Sequence, residues 1–150
     1  MPTEKQIKAF LTKIRAQINE HGWIVQGVVP AKDGDLGFAY TVGLTLAGLP
    51  ELVISGLWRE QGQQFLNIAA QQHCREEILA GDTIEDIASV PFRVIDVPLA
   101  EVNTARRLYG RSRVRALQLV WPDDNGLWPG SVFAASAMEG RQELLGPAWW

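Results

Sequence analysis

Three apolar segments between residues 23 and 57 follow one another with only short turns between them. They read WIVQGVV (23–29), FAYTVGL (38–44) and ELVISGL (51–57), and their β-branched and aromatic residues are typical of strands. The connections AKDGDLG (31–37) and AGLP (47–50) have the composition of turns. Because a parallel crossover needs about a dozen residues or more, these segments are expected to pair antiparallel.

Helical spacing of apolar residues predicts a first helix that begins after Thr3 and ends at Gly22. Its apolar stripe is expected to comprise Ile7, Phe10, Leu11, Ile14 and Ile18. A second helix is predicted over 59–79 and a short third helix over 100–109. In the second helix, one face is expected to carry Leu66, Ala70, Cys74 and Ile78. This spacing predicts that Cys74 is buried and unreactive.

Two further strands are predicted, over 92–97 and 114–121. Neither segment shows a clean alternation of polar and apolar residues, which indicates cover on both faces of the sheet. The predicted order is helix, three strands, helix, strand, helix, strand, without regular β-α-β alternation. We therefore predict one α+β domain over 1–150, with two longer helices and one short helix packed on a mainly antiparallel sheet.

Composition narrows the possible partners and locations. No apolar run approaches the ~20 residues that span a bilayer, and the N-terminus lacks the apolar core of a signal peptide. One cysteine cannot form an internal disulfide, so a cytoplasmic location is expected. The net charge of −3 gives no general reason to bind nucleic acid. We expect neither a nucleic-acid nor a membrane partner.

Arginines cluster in one short segment of the chain. Five of the ten arginines lie within ten residues, namely Arg106, Arg107, Arg111, Arg113 and Arg115. Guanidinium groups bind phosphate and carboxylate bidentately, and Tyr109 within the cluster could stack on a planar ligand. The alternative is a solvated surface, which is the usual environment of arginine.

A second group of candidate residues contains Tyr40, Thr41, Trp121 and Asp123, close to predicted turns. Aromatic walls with polar tips suit the mouth of a ligand pocket, whereas strand aromatics also form core and Asp is common in turns. If the last strand already runs at Arg113, then Arg113, Arg115 and Trp121 share one face with Leu117 and Leu119 between them. That arrangement suits a ligand cleft with an apolar floor, and equally a plain core with the arginines at its solvent-exposed rim.

Catalytic and metal motifs are not recognisable in the sequence. There is no Gly-x-Ser-x-Gly elbow and no phosphate-binding loop, and His21, His73 and Cys74 lack metal-ligand spacing. Glu51 could act as a general base if it is buried. No metal site is predicted, and the sequence identifies neither a cofactor nor a catalytic residue.

Two segments carry a resemblance to a known family. They are GFAYTVGL (37–44) with GLPELVISGL (48–57), and LVWPDDNGLWP (119–129). Over about 22–129 the chain resembles the bacterial family termed domain of unknown function 4262. The family's second motif often continues Pro-Trp-Glu, whereas this chain has Pro129-Gly130-Ser131. The resemblance implies a small bacterial domain and brings no established activity.

Three functions remain open at this point. The first is a domain that binds a small anionic or planar ligand through the arginines and aromatics. The second is a cofactor-dependent enzyme, by analogy with flavin-binding split barrels. The third is an interaction or immunity-type protein, for which Trp149 and Trp150 would supply a contact. We expect these two tryptophans to pack onto the domain or onto a second copy in a homodimer.

Overall fold

The computed structural model describes residues 1–28, 37–98, 102–110, 112–130 and 142–150. The helices are α1 (Glu4–His21), α2 (Arg59–Arg75) and α3 (Asn103–Tyr109), and a 3-10 helix spans Leu44–Ala47. The strands are β1 (Ile24–Val28), β2 (Phe38–Val42), β3 (Glu51–Ser55), β4 (Thr83–Ile84), β5 (Phe92–Val97) and β6 (Ala116–Val120). Residues 31–36 of the predicted turn, the predicted helix start at Ala100, and Arg111 lie outside the described residues.

The six strands form one open sheet in the order β1-β2-β3-β6-β5-β4. Every neighbouring pair is antiparallel except β3 and β6, which are parallel. The α+β prediction and the antiparallel pairing of the first three strands are confirmed. The sheet is not closed into a barrel, so the analogy with flavin-binding split barrels gains no support from the fold.

Helices cover both faces of the sheet. On one face α2 packs over a core that includes Leu52, Ile54 and Leu119. On the other face α1 and α3 pack over a core that includes Tyr40 and Val53. All five residues of β6 are buried as a result, which explains why its sequence does not alternate.

Helix α1 extends beyond the sheet, so only part of its predicted stripe is buried. Thr3 forms the predicted capping box, and Gly22 ends the helix with a φ of 91°. Ile14 and Ile18 are buried, whereas Phe10 is 43% exposed. The stripe is therefore buried in the C-terminal half of the helix and partly exposed in the N-terminal half.

Helix α2 ends earlier than predicted and turns Cys74 outward. Cys74 is exposed, so the prediction of a buried thiol is wrong. At 3.6 residues per turn, two steps of four residues rotate Cys74 by about 80° from Leu66, whereas His73 lies within about 20°. His73 takes the core position, and its Nδ1 accepts a hydrogen bond from the Ile78 backbone N–H at 2.8 Å. This bond holds Ile78 against the core although the helix has already ended.

The C-terminal segment, residues 142–150, crosses the sheet and is anchored by Gln118 in β6. The Gln118 side-chain amide donates to the Glu143 carbonyl at 2.7 Å, and its oxygen accepts from the Leu145 N–H at 2.8 Å. Trp149 and Trp150 donate their indole N–H groups to backbone carbonyls of the domain. The expectation that both tryptophans pack onto the domain is therefore confirmed.

The two tryptophans at the end of this segment also form cation–π contacts. The Arg93 guanidinium lies 4.2 Å from the ring centre of Trp128, and 5.3 and 5.2 Å from the ring centres of Trp149 and Trp150. Cation–π contacts of this kind each contribute about 0.5–1 kcal/mol where solvent reaches them. In the parts of the chain that the structure describes, no helix has the length and apolar character to cross a membrane.

Candidate functional site

Two polar side chains on α3 lack hydrogen-bond partners. Arg106 and Tyr109 are three residues apart, so they share one face of the helix. The Nε atom of Arg106 and the hydroxyl of Tyr109 are buried, and no atom of the described residues is within hydrogen-bonding reach of either. A buried polar group without a partner costs about 1–3 kcal/mol and is uncommon in native proteins.

Charges of both signs act on Tyr109. Burial is the main reason that the pKa of Tyr109 is raised above its ordinary value of 10.0, and the charge of Glu51 raises it further. Arg15 from α1 and Arg113 after α3 act in the opposite direction and lower the pKa of Tyr109. Tyr109 therefore remains a protonated donor at neutral pH. We refer to Arg15, Arg106, Tyr109 and Arg113 as the α3 site.

The chemistry of the α3 site is that of donors without an acceptor. Arg106 Nε and the Tyr109 hydroxyl can both donate, and the two neighbouring arginines add charge that favours an anion. Arg106 and Tyr109 are partly exposed, while the two unpartnered atoms themselves are covered. A rotation of either side chain would present its donor to a ligand from solvent.

A buried carboxylate lies at the start of β3. Glu51 is 0% exposed, and no lysine or arginine of the described chain forms an ion pair with it. Its oxygens accept from the backbone N–H groups of Gly43, Leu44 and Thr45 at 3.3, 3.1 and 2.8 Å. The hydroxyls of Thr41 and Thr45 also donate to it. Glu51 thus supplies the acceptors for the otherwise free N–H groups at the start of the 3-10 helix.

The local backbone makes room for this carboxylate. Strands β2 and β3 pair as far as Tyr40 and Val53, and beyond that point the Thr41 hydroxyl accepts the Leu52 N–H at 2.8 Å. Gly43 has a φ of +131°, and a Cβ there would lie 2.6 Å from the Gly22 carbonyl oxygen. Only glycine fits this close approach.

Glu51 has an unusual protonation equilibrium for the same structural reason. Burial raises its pKa above the ordinary 4.5, and the surrounding donors partly oppose that rise. The sequence left open that Glu51 serves as a general base. In the structure, however, its two oxygens already accept five hydrogen bonds. Its contacts are those of a structural cap, and we refer to this arrangement as the Glu51 cap.

The structure divides the predicted arginine cluster. Strand β6 begins only at Ala116, so strand alternation does not put Arg113 and Arg115 on one face. The Arg115 guanidinium instead donates to the Gly48 carbonyl at 2.8 Å. Arg107 is exposed and adjacent to Arg106, so it lies on a different face of α3. Of the predicted arginines, Arg106 shares a helix face with Tyr109, and Arg113 lowers the pKa of Tyr109 through its charge.

The other predicted site residues lie elsewhere and have structural contacts. The Tyr40 hydroxyl accepts the Thr104 N–H at 3.1 Å, which ties the start of α3 to β2. Thr41 belongs to the Glu51 cap. Trp121 donates its indole N–H to the Ser55 carbonyl, and one Asp123 oxygen accepts two backbone N–H groups of its own turn. Ligand contact by these four residues stays a prediction.

The predicted cleft between the arginines and Trp121 is not open. Leu117 and Leu119, which were expected to form its floor, are buried in the core beneath α2. The cleft prediction is wrong and the core alternative is found, because Leu117 and Leu119 are buried in the same apolar cluster as Leu66 and Ala69 of α2.

Arg15 was not among the predicted site residues. Nothing in its spacing on α1 distinguishes it from other solvent-facing positions, because only the packing of α1 beside α3 brings it near Tyr109.

No curated protein and no solved structure matches the chain. A family model described as "Domain of unknown function (DUF4262)" matches residues 17–134, which include the Glu51 cap and three of the four residues of the α3 site. The chain therefore belongs to the DUF4262 family of domains of unknown function.

Proposed function

We propose that this protein binds a small ligand through a phosphate or carboxylate group at the α3 site. The observation that carries the proposal is the pair of buried donors on Arg106 and Tyr109 that have no acceptor within the described residues. A bound oxyanion would accept from both atoms and remove the penalty of leaving them unpaired.

The surrounding charge supports an anion rather than a neutral acceptor. Charge-assisted hydrogen bonds to guanidinium are roughly twice as strong as neutral ones, and a guanidinium can hold two oxygens at once. Arg15 and Arg113 act on Tyr109 from α1 and from the segment after α3. The Tyr109 ring offers a flat apolar surface beside the donors, which suits a ligand with a planar body.

Calorimetric titration with inorganic phosphate at low ionic strength tests the proposal. We expect wild-type protein to bind, Arg106→Gln to lose at least about tenfold in affinity, and Tyr109→Phe to lose a smaller factor, because a hydrogen bond to a charged group contributes about 1.5–3 kcal/mol. Added salt should weaken binding by screening.

Arg59→Gln is the matched control, because it removes the same charge from an exposed position on α2. It should bind phosphate like wild type. Absence of binding by the wild type, or equal affinities of Arg106→Gln and Arg59→Gln, would contradict the proposal.

A further inference from the structure

The first half of α1 presents an apolar stripe that is only partly covered, with Phe10 exposed and Ile7 and Leu11 half-buried. The stripe consists of Ile7, Phe10 and Leu11, none of which packs in either core. Phe10 is the most exposed of the three at 43%. Apolar side chains grouped in this way on a surface commonly mark an interaction site.

Basic residues accompany this stripe. At 100° per residue, Lys8 and Lys13 flank it on opposite sides of the helix, and Lys5 lies behind it. The alkyl part of a lysine can cover neighbouring apolar surface while its ammonium group remains solvated. Glu4 also lies beside the stripe, so Lys5, Lys8, Lys13 and Glu4 together carry +2. The N-terminal half of α1 therefore has an apolar centre with a net positive surround, and we call it the α1 stripe.

A surface of opposite charge lies at the other side of the sheet. A cavity of about 180 Å³ opens between the end of α2 and β4. Its lining includes five carboxylates, from Glu76, Glu77, Asp82, Glu85 and Asp86. The net charge of the chain is −3, so the remaining residues together carry +2. Leu79 beside the cavity is 56% exposed and gives this surface an apolar element as well.

We propose that the α1 stripe of one copy docks on this acidic surface of a second copy. Pairing of two α1 stripes would bring lysines together, whereas the acidic surface complements them. Strands β1 and β4 are the two edges of the sheet, with α1 packed near β1 and the cavity beside β4. The two surfaces therefore lie on different sides of the molecule. Such a contact is heterologous, so copies add head to tail.

Sedimentation velocity at low ionic strength tests this contact with two charge-reversal variants. One carries Lys8→Glu and Lys13→Glu, and the other carries Glu76→Lys, Glu77→Lys and Glu85→Lys, which changes the charge of the five-carboxylate surface from −5 to +1. We expect wild type to form species larger than a dimer that dissociate at about 0.5 M salt, where the Debye length is only a few ångströms. Each variant alone should be monomeric, because its two surfaces then carry like charge. An equimolar mixture should associate again beyond the dimer.

Several outcomes would overturn the proposal. They are a monomeric wild type at low salt, wild-type association of the Glu76/Glu77/Glu85 variant, and a mixture that stops at dimers, as pairing between α1 stripes would produce. A monomeric wild type that binds phosphatidylserine vesicles would assign the stripe to a membrane surface instead. Arg106→Gln should associate like wild type, so this result is independent of the α3 site.

Discussion

Replacement of Glu51 by alanine should destabilise the protein more than any exposed substitution. The change leaves three buried backbone N–H groups, those of Gly43, Leu44 and Thr45, without their acceptor. At about 1–3 kcal/mol for each unpaired donor, with water entering the vacated space, we expect a loss of about 3–5 kcal/mol. Burying a carboxylate is itself costly, and the alanine variant avoids this cost, which offsets part of the free energy lost at the unpaired donors.

Glu51→Gln separates the hydrogen bonds from the volume of the side chain. If the amide oxygen takes the position nearer Thr45, it keeps the bonds from Gly43 and Thr45, and the amide nitrogen can donate to the Thr41 hydroxyl. Only the Leu44 N–H then faces another donor. We expect a loss of about 1–3 kcal/mol, clearly smaller than that of the alanine variant.

Urea titrations of the two variants measure these differences in the free energy of unfolding. Glu143→Ala is the control, since it removes an exposed carboxylate and should stay within about 0.5 kcal/mol of wild type. The reasoning would be refuted if Glu51→Ala were as stable as the control, or if Glu51→Gln lost as much stability as Glu51→Ala.

Three further predictions concern other buried contacts. Burial lowers the pKa of His73 below 6.5, so the unfolded chain binds a proton at this residue more tightly than the folded chain does. The free energy of unfolding should therefore be highest above pH 6.5 and should decline as the pH falls below it. Urea titrations between about pH 5 and 7.5 should show this slope in wild type and lose it in His73→Gln, and equal slopes would contradict it. Gly43→Ala should cost more than about 2 kcal/mol, because its Cβ would meet backbone, while Gly27→Ala has open space and should be tolerated. Equal melting temperatures for these two variants would argue against the close approach. Removal of Trp149 and Trp150 should lower the melting temperature by several degrees, since two hydrogen bonds and two cation–π contacts are lost, and an unchanged melting temperature would contradict their packing.

The sequence predicted the elements whose signals are local. The capping box at Thr3, the stop at Gly22 and the turn between β2 and β3 depend on neighbouring residues, and each is found in the structure. The parallel pairing of β3 and β6 was not predicted, because about sixty residues separate the two strands and tertiary packing decides where β6 enters the sheet. The exposure of Cys74 followed from helix geometry that a spacing of four residues approximates poorly.

The candidate site was predictable only in part for a similar reason. The clustering of arginines predicted an anion site, which stays a prediction; two of its residues, Arg106 and Tyr109, share a face of α3, and Arg113 acts on Tyr109 through its charge. Arg115 turns to the Gly48 carbonyl because β6 starts too late to align it with Arg113. Arg15 joins the α3 site from a different helix, and tertiary packing alone determines that contact. The Glu51 cap likewise combines residues of β2, the 3-10 helix and β3.

A crystal structure of the protein grown with saturating inorganic phosphate tests the central claim most directly. We predict a phosphate at the α3 site, with oxygens about 2.7–3.2 Å from both Arg106 Nε and the Tyr109 hydroxyl. A structure in which these two donors remain unpartnered or bind only water, with phosphate absent from the site, would contradict it.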